Sequence, residues 1–98
     1  MSIETLIEHG LYIAGAREPL AGDAHEIINP GTVELVGRVT SATPEDADRA
    51  VRAAHEAQRD WGRRSYTQRG TIIHACAEAF EAHVEELVPI LVAEQGKT

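Results

Sequence analysis

The stretch Thr43-Pro44-Glu45-Asp46-Ala47-Asp48-Arg49-Ala50-Val51 decides how the chain is read. Thr43 is an N-cap residue whose hydroxyl accepts a first-turn amide. Pro44 follows at the first helical position, where its missing N–H costs nothing. Glu45 and Asp46 put negative charge at the positive end of the helix dipole. Ala47, Ala50, Val51, Ala54, Ala57 and Trp61 then recur at helical spacing. The predicted helix runs over 44–61, with Gly62 as its stop. Its apolar face is mostly alanine, so it is expected to lie close against a neighbour, anchored by Trp61.

Working toward the C-terminus, Ser65-Tyr66-Thr67-Gln68 matches a capping box and opens a second helix over 65–82. Ile72, Ile73, Cys76, Ala79 and Phe80 form its apolar face. A third helix covers 83–95, with Val84, Leu87, Val88, Leu91 and Val92 apolar. Pro89 lacks a backbone donor, so a bend there or a break near Ala82–His83 is expected. Gly96 is a natural C-cap, with Lys97 beside it.

Working toward the N-terminus, residues 11–40 carry turn formers every few positions. Leu11–Ala14 reads as a short strand, Gly15-Ala16 as its turn and Arg17–Leu20 as an edge return limited by Pro19. His25–Ile28 reads as a strand, Asn29-Pro30-Gly31-Thr32 as a turn and Val33–Thr40 as the next strand. The fold class is therefore α+β: antiparallel hairpins over about 11–40, then two or three helices, in a single domain over 1–98.

Composition narrows the function classes. The 98 residues are 43% apolar, which fits a globular chain and one small domain. Nine basic against sixteen acidic residues give a net charge of −7. Such a surface repels phosphate backbones and anionic lipid, so no nucleic acid and no membrane is expected as a partner. Cys76 is the only cysteine, so no internal disulfide forms. Met1–Gly10 lacks a signal-peptide pattern, and the longest apolar run, Leu87–Ala93, is too short to span a bilayer. A cytoplasmic location is the expectation.

Each motif weighs toward structure rather than chemistry. Gly96-Lys97-Thr98 resembles the end of a phosphate loop, but Leu91 stands where the loop needs its first glycine. No two of the eight glycines are spaced as Gly-x-Gly, so no dinucleotide fingerprint is present. Cys76 shares a helix face with Ile72, Ile73 and Phe80, and His74 sits two residues away on another face. A small buried hydrophobe is the expectation for Cys76. His74 and Glu78 are four apart and form a solvated pair rather than a metal site, which needs a third ligand. The acids in 45–60 alternate with Arg49, Arg52 and Arg59 as on a solvated helix face. Arg69 either reaches a carboxylate or carbonyl elsewhere or is a surface arginine.

Taken in order, Leu11-Tyr12-Ile13-Ala14-Gly15, Ile27-Ile28-Asn29-Pro30, Thr43 through Val51, Ala54 through Trp61, Gln68-Arg69 and Glu94-Gln95-Gly96-Lys97 resemble the N-terminal segment of the NAD(P)-dependent aldehyde dehydrogenase superfamily. The resemblance covers residues 11–98. It implies hairpins and helices that pack on the front of an α/β cofactor-binding domain, so that 1–98 is an incomplete domain. It implies oxidation of an aldehyde to a carboxylic acid with NAD or NADP. It also implies that the nucleophile, general base, oxyanion donor and cofactor loops lie outside these residues. No catalytic or cofactor-binding residue is therefore assigned, and no cofactor is expected to bind this chain alone. One site carries over: a monovalent cation held by backbone carbonyls at Ile27 or Ile28 and by Glu94. The expected partners are a second copy of the chain or the remainder of such an enzyme.

Overall fold

A computed structural model describes residues 6–96. The readings that involve Met1–Thr5, Lys97 and Thr98 lie outside the described residues. Among the described residues five short strands precede three helices: β1 (Ile7–His9), β2 (Tyr12–Ile13), β3 (Ala16–Arg17), β4 (Ala24–Ile28), β5 (Leu35–Thr40), α1 (Pro44–Trp61), α2 (Tyr66–Ala82) and α3 (Val84–Gln95).

The strands form two small sheets. β2 and β3 make a two-stranded hairpin, with Tyr12 opposite Arg17. Its turn is Ala14-Gly15, both at positive φ, the geometry that matches strand twist in two-residue loops. The turn thus lies one residue earlier than Gly15-Ala16, and Arg17–Leu20 contributes only its first residue to the return strand.

β4 and β5 pair antiparallel, with His25 opposite Val39 and a register shift between Ile27 and Ile28. The connecting loop is organised by Asn29. Its Oδ1 accepts the Gly31 and Thr32 amides, and its carbonyl accepts the Val33 amide at 2.7 Å. This draws Val33 into the loop at φ 64°, so the strand begins at Leu35 rather than at Val33.

β1 adds a parallel strand beside β5, with Ile7 opposite Gly37. The three-stranded sheet, in order β1-β5-β4, is therefore mixed rather than purely antiparallel. Gly37 makes this possible. A Cβ there would collide with the Ile7 carbonyl.

The capping residues read in the sequence act at the helix ends, except at the start of α3, where His83 makes no side-chain cap. Thr43 and Asp46 form a reciprocal capping box, as do Ser65 and Gln68. Gly62 stops α1 in a right-handed conformation, and Gly96 caps α3 at φ 69°. The α2–α3 break falls at His83, whose Nδ1 lies 2.8 Å from the Ala79 carbonyl. α3 continues through Pro89.

Core formation is slight. Val36, 5% exposed, and Ala93, 2% exposed, are the buried apolar residues among those described. The radius of gyration is 16.8 Å, against about 13 Å for a compact chain of this length. On α1 the half-covered positions are Asp46, Ala50, Ala53 and Trp61, while Ala47, Ala54 and Ala57 are exposed. The covered stripe is thus rotated from the alanine face read in the sequence, because the neighbour that α1 meets is the β2–β3 hairpin.

Candidate functional site

The α1 N-terminus is tied to the hairpin by one arginine. Arg49 makes a two-pronged contact with Glu18, at 2.9 and 3.1 Å, and a third with Asp46 at 3.0 Å. Asp46 also accepts the Thr43 amide at 2.9 Å. Arg49 holds Glu18 below the ordinary carboxylate pKa. Asp46 is lowered first by the Thr43 backbone N–H and then by Arg49. The Arg49 pKa is raised in turn, first by Glu18. Arg49, half exposed on the solvated face, is thus also a crosslink to the hairpin. Its 31-residue separation from Glu18 leaves no local signal in the sequence.

Cys76 is exposed, contrary to the buried position its apolar helix face suggested. The reason is that no described element covers that face of α2. His74 Nε2 and Glu78 Oε1 lie 3.2 Å apart on the solvent side, an ordinary i,i+4 pair. Among the described residues no three His, Cys, Asp or Glu side chains come together to hold a metal. No described helix is long and apolar enough to cross a membrane.

The Asn29-Pro30 turn and the end of α3 come together. A Cβ on Gly96 would stand 2.6 Å from Pro30 Cγ, so α3 ends directly against the turn that follows β4. Ile27 and Glu94 border one cavity of about 250 Å³, shared with Ile7, Val36, Leu87 and Ile90. Ile28 is 42% exposed at the β4 end and is not part of that lining. Of the two alternatives for the carbonyl position, Ile27 is the one that shares a cavity with Glu94.

The described residues offer no cradle for a dinucleotide. Pyrophosphate binds free amides at a helix N-terminus. Here the α1 and α2 N-termini are closed by their own capping boxes. The first turn of α3 carries Glu85 and Glu86, which repel an anion. The residues present do not fit NAD or NADP, and no catalytic step is derived through it.

The broadest feature is an uncovered helical surface. Every residue of α2 except Arg69 is exposed, including Ile73 at 60% and Phe80 at 65%. Phe80 continues onto α3 with Val84, Leu87, Val88, Ile90 and Leu91 around an apolar recess of about 270 Å³. At the other end of α2, the Arg69 guanidinium stacks over Tyr66, 5.0 Å from the ring centre. Its Nε is buried, and no described residue accepts from it. A buried N–H without a partner is costly. Sequence left the Arg69 partner open, and among the described residues the only group engaging it is the Tyr66 ring.

Comparison with known proteins identifies the fold. The profile of the aldehyde dehydrogenase family matches residues 18–98. The 3,6-anhydro-alpha-L-galactose dehydrogenase of Streptomyces coelicolor is 45% identical over 71 residues, 72% of this chain and 14% of that protein. The alpha-ketoglutaric semialdehyde dehydrogenase of Bacillus subtilis is 37% identical over 80% of this chain and 16% of that protein. A protein described as a methylmalonate-semialdehyde dehydrogenase of Sinorhizobium meliloti, solved with NAD, superposes with a TM-score of 0.81 at 28% identity. That match covers 94% of this chain and 19% of the other. The chain thus spans less than a fifth of each relative's length. Residues that fold as small sheets followed by three helices, matched to this profile over most of their length, belong to the aldehyde dehydrogenase family as its N-terminal segment.

Proposed function

We propose that these 98 residues act as a docking segment of an NAD(P)-dependent aldehyde dehydrogenase and carry none of its catalytic groups. In this reading 1–98 is one incomplete domain. The cofactor and the aldehyde are held by polypeptide outside it, and the assembled enzyme is cytoplasmic. The observation that carries the reading is the uncovered α2–α3 face, together with α1 and α2 N-termini closed by their own capping boxes. The described residues thus offer surface to be built upon.

The test is a chimera in which this chain replaces the matching segment of the Streptomyces coelicolor relative. The chimera is expected to reduce NAD(P) with an aldehyde, and the 98-residue chain alone is expected not to. Turnover by the chain alone, or a well-folded chimera without activity, overturns the proposal. A minor part of the same reading is a monovalent cation held between the Ile27 or Ile28 carbonyl and Glu94, where hard oxygen ligands suit it. Potassium or sodium is then expected to raise the melting temperature of the chimera, and Glu94→Gln to abolish that rise.

A second reading is an association module, favoured by the size of the exposed surface. A folded monomer of 10.6 kDa exposes about 5,500 Å², whereas this chain exposes 7841 Å². Its helices then serve to bind another chain or a second copy.

A further inference from the structure

We draw no further inference here: the strongest candidate, the groove of about 580 Å³ between the C-terminal end of α1 and the start of α2, lined by Asp60, Arg63, Arg64, Thr67, Gln68 and Thr71, carries nothing, because Asp60 already holds Arg64 at 2.8 Å, Ser65 closes the α2 N-terminus with its own capping box, and nothing in the structure shows what covers that side of α2.

Discussion

Replacing Gly96 by alanine tests the junction that joins the helices to the sheet. Gly96 sits at φ 69°, a conformation that costs an L residue about 1–2 kcal/mol. The added methyl would also stand 2.6 Å from Pro30 Cγ, well inside van der Waals contact. Forcing a methyl into a filled space costs about 1–3 kcal/mol. The two penalties together predict a loss of about 2–5 kcal/mol. The chain cannot spread that loss over a large interior, because Val36 and Ala93 are its buried apolar residues among those described. Gly70→Ala is the matched control. Gly70 lies within α2, and its added Cβ meets open space, so the same substitution should stabilise by about 0.5–1 kcal/mol. Urea titration followed by far-UV circular dichroism, with amide exchange read at Ala93, reports both. Opposite signs for the two variants support the geometry. A Gly96→Ala chain as stable as the parent refutes both the left-handed cap and its seat on Pro30.

Three further outcomes follow from named contacts. Glu18 and Asp46 have folded pKa values below the ordinary 4.5 and 3.8. In acid the unfolded chain therefore binds more protons, and stability falls as pH drops through the lowered values. Thermal melts at successively lower pH should show this loss, and Arg49→Met should reduce it. Ser65→Ala removes the acceptor for the Gln68 amide and should cost about 1 kcal/mol, read as faster amide exchange in the first turn of α2. Gly37→Ala places a methyl against the Ile7 carbonyl and should release β1 while leaving the β4–β5 pair, seen as loss of protection confined to the Ile7–His9 strand.

Local chemistry was legible in the sequence, and tertiary neighbours were not. Capping residues, Pro44, Gly96 and the Asn29-Pro30 turn announce themselves by type and position, and the helices begin and end beside them. β1 gave no signal because its three residues lack alternation, and its pairing depends on Gly37, thirty residues away. The Arg49–Glu18 contact was hidden for the same reason. Cys76 was misjudged for a different one. Periodicity reports which face of a helix is apolar, and it cannot report whether the chain itself supplies a cover. The candidate site follows the same division. The family pattern marked the neighbourhood of Ile27, Ile28 and Glu94, while the shared cavity and the Gly96–Pro30 contact needed coordinates.

The central claim is that α2 is held in place from outside the single chain. Helices in proteins draw most of their stability from packing of an apolar face rather than from intrinsic propensity. Hydrogen exchange of the Tyr66–Ala82 amides, measured on the 98-residue chain and on the chimera, tests this most directly. The account predicts weak α2 protection in the chain alone and strong protection in the chimera, while the β4–β5 amides are protected in both. Equally strong α2 protection in the two would contradict it.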